Sequence, residues 1–183
     1  FAWALQINPL DILSKLMIGG FDTTSGWSAG PNLPNIYVGA LGLLGFVFYF
    51  IFAKAHKYQK IGAGVVTFIF FISFVHEFTS KIWHMGQNPA GFFYRFSWIL
   101  SFFMVLLAYQ AYKQGPKLSW KGVLIGLLPI GMAGYYVATH DYTYIAKKQS
   151  EAVTKYLKSN GNTVYILLTL FAVGVLYYIW KKW

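Results

Sequence analysis

Five apolar segments alternate with short polar loops along the chain. They cover residues 36–53, 61–81, 92–112, 122–138 and 163–180. A helix of ~20 apolar residues can cross the hydrocarbon core of a bilayer. The second segment reaches this length only as a helix that continues past Glu77 into the interface. The pattern predicts an all-α fold, a polytopic transmembrane helical bundle with about five membrane-spanning helices in residues 36–183.

The fourth segment contains a proline among small residues. Pro129 stands between Gly126, Gly131 and Gly134. Neighbouring helices can satisfy the backbone groups that a proline frees, and glycines let helices approach closely. The pattern fits a kinked or closely packed span, and it fits equally well a kink without functional meaning.

We predict that residues 1–35 form an external loop that contains a short interfacial helix. Asn8 is a typical N-cap, Pro9 suits the first helical position, and Gly19-Gly20 supplies a stop. One apolar stripe runs along this helix, opposite Asp11 and Lys15; it consists of Leu10, Leu13, Leu16 and Met17. In the loop 139–162, a basic amphipathic helix around residues 145–158 would lie on anionic lipid or pack against another domain.

The charges divide the loops into two groups. Loops 54–60 and 113–121 and the end 181–183 carry lysines and no acidic residue, whereas all five acids fall on the opposite side of the predicted bundle. The positive-inside rule therefore predicts that the lysine-only loops face the cytoplasm. The bias is incomplete, because the opposite loop 139–162 also contains four lysines.

Composition supports a membrane protein. The chain is 57% hydrophobic and 11% charged, with a mean hydropathy of +0.49, whereas soluble domains carry about 25% charged residues. The net charge of +10 is explained by lysines that flank spans, so no nucleic-acid partner is expected. The absence of cysteine excludes disulfides and thiolate sites, and the scattered histidines predict no metal site.

The most informative stretch, residues 82–97, links the second and third apolar segments. It places Trp83, His84, Tyr94 and Arg95 where lipid gives way to water. Arginine presents a rigid, permanently charged fork that suits phosphate oxygens, and histidine can donate to the same group. We therefore predict these four residues as contacts for a phosphorylated lipid.

Simpler interpretations of the same stretch stay open. An arginine at the end of a span often only reaches lipid phosphate, and Trp83 and Tyr94 fit an aromatic belt. Glu77, Lys81 and His84 share one face if the second helix continues, where Glu77 and Lys81 would form an ion pair.

Three stretches resemble a signature of the YfhO-type bacterial membrane proteins. The first is Ile82-Trp83-His84-Met85-Gly86-Gln87 with Tyr94-Arg95-Phe96-Ser97, the second Leu33-Pro34-Asn35-Ile36-Tyr37-Val38-Gly39, and the third Pro9-Leu10-Asp11-Ile12-Leu13-Ser14-Lys15-Leu16. Two departures are Phe93, where the family pattern has proline, and Met85, an extra residue before Gly86.

The resemblance implies a multi-pass enzyme of the GT-C glycosyltransferase class in the bacterial cell membrane. Such an enzyme would transfer a sugar from a polyprenyl-phosphate donor to a cell-wall polymer such as lipoteichoic acid, outside the cell and without a separate cofactor. In the class, the catalytic carboxylate lies in the first external loop. This chain begins at Phe1 within an apolar stretch, so we expect it to be part of a longer protein and to be inert alone, with its catalytic residues unknown.

A second interpretation is a non-catalytic polytopic module, such as a flippase, a transporter or a structural unit. Transporters favour ionisable residues near the middle of the membrane and repeated halves. In this chain the ionisable residues lie in loops or near span ends. That placement favours chemistry at the outer surface.

Overall fold

The computed structural model describes residues 4–16, 33–87, 93–114 and 120–140. Its helices, in chain order, are a 3₁₀ helix (Pro9–Leu16), α1 (Gly39–Phe52), α2 (Lys57–Val75), α3 (Glu77–Ile82), α4 (Ser97–Lys113) and α5 (Trp120–Thr139). The described residues form no strand, and their one β contact is an isolated antiparallel bridge between Leu5 and His76. The all-α prediction is confirmed for this part of the chain.

Two of these helices are long and apolar enough to cross a membrane by length and composition. They are α2 and residues Gly122–Thr139 of α5. Helix α1 has 14 residues and α4 has 17, which correspond to about 21 and 26 Å at a helical rise of about 1.5 Å per residue. Five spans are therefore not confirmed. The predicted span 163–180 and the predicted helix around 145–158 lie outside the described residues.

The bundle has two ends, which we call the Arg95 end and the lysine end. At the Arg95 end, α2 and α5 finish, α4 begins, and the 3₁₀ helix packs on α5. At the lysine end lie the turn 53–56, the start of α2 and the end of α4. Helix α1 packs along α4 and also contacts α5. The buried side chains form two layers, one towards each end: the first includes Phe74, Tyr94, Phe96, Leu100 and Val137, and the second Leu44, Phe48, Ala63, Ala111 and Val123.

Close helix contacts depend on two glycines. A Cβ atom on Gly45 would lie 2.6 Å from the Cβ atom of Ala108, and one on Gly126 would lie 2.1 Å from the ring of Phe48. Gly131 has no such neighbour within 4 Å, and Pro129 lies inside α5 without ending it. The fourth apolar segment is therefore closely packed at Gly126, as small residues allow in membrane bundles.

The predicted continuous helix 61–81 is divided at His76. This residue has extended backbone angles (φ −107°, ψ 129°) and separates α2 from α3. The N-terminal segment satisfies backbone groups at the break: Gln6 N–H donates to Val75 C=O (2.8 Å), and Glu77 N–H donates to Ala4 C=O (3.1 Å). The helix can end here because a distant segment replaces its internal hydrogen bonds.

The first helix begins as its sequence indicates but buries the opposite side. Asn8 Oδ1 accepts a hydrogen bond from Leu10 N–H. Asp11 and Lys15 are then buried, while Leu10 is exposed. At three residues per turn Asp11 and Ser14 share a face, and Tyr136 of α5 and His140, the next residue after α5, give Asp11 polar partners there.

Candidate functional site

An aromatic stack fixes the signature stretch to the end of α2. The Phe96 ring lies between Trp83 (centroids 4.9 Å apart) and Phe74 (5.2 Å apart), each within 12° of parallel. Trp83 also stacks on Phe70 at 5.2 Å, and its Nε1–H donates to Ser73 Oγ at 3.0 Å. Each well-placed aromatic pair adds about 0.5–1.5 kcal/mol beyond simple burial. Trp83 is therefore more than a belt residue, because it anchors the turn that follows α3.

That turn is a Schellman motif with an unusual residue in its left-handed position. Gly86 N–H donates to Lys81 C=O (2.8 Å), and Met85 N–H donates to Ile82 C=O (3.2 Å). Met85 has a φ of +53°, where glycine is the common choice. The extra residue in the family signature thus supplies the C′ position of this cap.

His84 joins the two sides of the signature loop. Its Nε2–H donates to the carbonyl oxygen of Phe93 at 2.9 Å, since a carbonyl can only accept. A neutral imidazole with its proton on Nε2 has only an acceptor at Nδ1, and only the imidazolium carries a second N–H. His84 can therefore donate to an anion only when it is protonated.

Tyr94 faces inward. Its ring is buried and meets Phe74 edge-on at 5.7 Å, and its hydroxyl donates to Gln6 Oε1 at 3.4 Å. Burial raises the pKa of the Tyr94 phenol, so the group stays a neutral donor at physiological pH. Tyr94 holds the loop in place, and it does not offer its hydroxyl to solvent.

Arg95 is the exposed cation of this loop. Its neighbours Tyr94 and Phe96 are buried, whereas the Arg95 side chain is exposed. Trp98, in the first turn of α4, is 66% exposed. The structure gathers Trp83, His84 and Tyr94 around Phe96, and it presents Arg95 on the outside of that cluster.

The nearby acid and lysine form a local pair. Lys81 Nζ donates to Glu77 Oε1 within α3, as their spacing predicts. This hydrogen bond lowers the pKa of the Glu77 carboxyl, and the charge of Lys81 acts in the same direction. His84 lies in the turn after α3, so it does not continue this helical face.

A buried carboxylate lies at the same end of the bundle. Asp11 is 0% exposed. Tyr136 OH donates to its Oδ1 at 3.1 Å, and His140 Nε2 lies 3.1 Å from the same oxygen. The Tyr136 and His140 rings stack with centroids 4.7 Å apart. Among the described residues, no three His, Asp or Glu side chains are grouped closely enough to hold a metal ion.

The family model for the bacterial membrane protein YfhO matches residues 1–183, which is the whole chain. The chain belongs to the YfhO family. It is therefore a membrane protein, in agreement with the two apolar helices. No curated protein and no solved structure matches it.

Sequence reasoning missed the role of Asp11, although the residue lies in a stretch that resembles YfhO-type proteins. One further signal was present. Tyr136 and His140 are four residues apart on one face of a helix, near its end. A polar pair at this place needs a partner when it is buried.

Proposed function

We propose that this YfhO-family chain is part of an integral-membrane glycosyltransferase of the GT-C class. The enzyme transfers a sugar from a polyprenyl-phosphate donor to a cell-wall polymer, such as lipoteichoic acid, at the outer face of the bacterial cell membrane. One observation carries the proposal: an exposed Arg95 on a loop that an aromatic stack holds at the end of an apolar helix. A lipid-borne phosphate would meet a fixed cation at this depth.

The proposed contacts have unequal roles. The Arg95 guanidinium is always charged and can bind two phosphate oxygens at once. His84 would add a contact only as an imidazolium, because its Nε2–H is already donated to Phe93 C=O. Trp83 and Tyr94, also predicted as contacts from the sequence, hold the loop through hydrogen bonds to Ser73 and Gln6, and of the two only Trp83 is exposed. The donor phosphate is thus assigned first to Arg95 and second to His84.

We expect Arg95→Ala to weaken donor use by roughly tenfold or more, since a hydrogen bond to a charged group contributes about 1.5–3 kcal/mol. Arg95→Lys keeps the charge and loses the fork, so it should retain intermediate activity. The measurement is glycan incorporation by the full-length protein in cells, at matched membrane levels. Lys57→Ala, an exposed cation at the lysine end, is the control.

We expect His84→Ala to weaken donor use less than Arg95→Ala does, because the Nε2–H of His84 is already donated to Phe93 C=O. Wild-type incorporation in Arg95→Ala would refute the phosphate assignment. It would favour the non-catalytic membrane module.

A further inference from the structure

Residues 4–16, which we call the strap, contact three separate parts of the Arg95 end. Backbone hydrogen bonds tie Ala4 and Gln6 to the break between α2 and α3. The side chain of Gln6 accepts from Tyr94 OH. Further along, Asp11 accepts from Tyr136 OH on α5 and lies against His140. The strap thus connects the end of α5 with the residue that precedes Arg95.

The anchor of the strap on α5 is a buried carboxyl group, and this determines its register. A carboxylate that is fully removed from water is costly unless it is paired and hydrogen-bonded. Tyr136 of α5 and His140, the residue after α5, meet the same oxygen of Asp11. A slip of the strap by one residue would separate the carboxylate from them. An apolar side chain at this position would tolerate such a slip, whereas a buried aspartate does not.

The register of the strap determines which strap residue contacts Tyr94 of the signature loop. Gln6 is five residues before Asp11 and must stay opposite both Val75 C=O and Tyr94 OH. Tyr94 is in turn packed on Phe74 and followed directly by Arg95. A displaced strap would remove the hydrogen-bond acceptor of Tyr94. It would also free the backbone groups at the break beside His76.

We propose that Asp11 is a positioning residue for the Arg95 loop. It acts through the strap, by holding Gln6 and Leu5 in register against Tyr94 and His76, and it does not contact the donor itself. The proposal rests on the function proposed above, in which Arg95 binds the donor phosphate. The buried Asp11–Tyr136–His140 cluster thus affects donor binding indirectly, through the position of the Arg95 loop.

Hydrogen–deuterium exchange of the full chain in lipid nanodiscs tests whether Asp11 holds the Arg95 loop in place through the strap. In Asp11→Asn and Tyr136→Phe, we expect exchange of the amides at residues 84–87 to quicken by about tenfold, while α1 and α4 stay protected. Tyr136→Phe removes a single hydroxyl, so it keeps the test open if Asp11→Asn does not fold. Tyr135→Phe changes an adjacent, 74% exposed tyrosine and should leave exchange unchanged. A change confined to residues 4–16 and 136–140 would overturn the proposal.

Binding of a synthetic polyprenyl monophosphate to the same nanodiscs tests whether Asp11 and Tyr136 affect donor binding. We expect Asp11→Asn and Tyr136→Phe to weaken binding several-fold, and Tyr135→Phe to bind as the wild type does. If Arg95→Ala weakens binding and the Asp11 and Tyr136 variants do not, the positioning role is refuted and the phosphate assignment stands. If Arg95→Ala leaves binding unchanged, the phosphate assignment fails, and the exchange result then decides whether the strap orders the loop.

Discussion

The two ends of the bundle are held together in different ways. At the lysine end, side chains donate to backbone carbonyl oxygens: Lys60 Nζ donates to Phe50 C=O, and Tyr112 OH, near the end of α4, donates to Leu41 C=O of α1. At the Arg95 end, tyrosine hydroxyls donate to side chains of the N-terminal segment, from Tyr94 to Gln6 and from Tyr136 to Asp11. The first set joins helices through backbone groups, and the second groups polar side chains of distant segments.

This difference agrees with our proposal that the site lies at the Arg95 end. Hydrogen bonds to backbone carbonyl oxygens can form along any pair of packed helices, so they say little about function. The side-chain contacts at the Arg95 end include a buried carboxylate, Asp11, at the same end of the bundle as the exposed Arg95. Lysines that flank spans set topology. The single exposed arginine on a fixed loop is better suited to recognition.

The largest effect we expect is an all-or-none difference in cysteine labelling, which shows which end of the bundle faces the outside of the cell. The chain has no cysteine, so single cysteines can be placed at Met85, which is 96% exposed at the Arg95 end, and at Lys54, which is exposed at the lysine end. An impermeant maleimide applied to intact cells should label Met85→Cys and not Lys54→Cys, because lysine-rich loops stay in the cytoplasm.

Permeabilised cells are the control for this experiment, and both variants should then react. Labelling of Lys54→Cys alone in intact cells would reverse the orientation. It would place Arg95 in the cytoplasm, where a donor for an external polymer could not reach it.

A smaller but substantial effect should separate two phenylalanines. Phe96 is buried between Trp83 and Phe74 at the Arg95 end, so Phe96→Ala should lower the free energy of unfolding by about 3–5 kcal/mol. Phe52 is half-buried and meets Phe48 edge-on at the lysine end, so Phe52→Ala should cost about 1 kcal/mol. Reversible unfolding in mixed micelles measures both values. Equal losses would contradict the contrast between the ends.

The same contrast explains what the sequence could predict. Helices α1, α2, α4 and α5 follow from apolar segments, and the exposed Arg95 follows from its place at the foot of one of them. The break at His76 could not be predicted, because its backbone partners are Ala4 and Gln6, about 70 residues earlier in the chain.

The candidate site shows the same limit. The sequence predicts Trp83 and Tyr94 as ligand contacts, but it does not reveal their partners Ser73 and Gln6, through which they hold the loop. Burial of Asp11 depends on α5, and helical periodicity alone favours the opposite face of its helix. Local pattern therefore predicts elements, and contacts between distant segments decide which polar groups are buried.

The smallest effect we expect comes from a substitution at Met85, which should raise the free energy of unfolding instead of lowering it. A left-handed backbone costs an L-residue about 1–2 kcal/mol, and Met85 adopts one at φ +53° with its side chain almost fully in solvent. Met85→Gly relieves that strain but adds freedom to the unfolded chain, so the net gain should be about 0.5–1 kcal/mol. Met132→Gly is the matched control, because Met132 is also exposed but lies inside α5, where glycine should destabilise by about 1 kcal/mol. Unfolding in mixed micelles would show gain in one variant and loss in the other. A loss in both would mean that the Met85 side chain itself stabilises the Arg95 end, and that the extra residue in the signature is more than a strained cap.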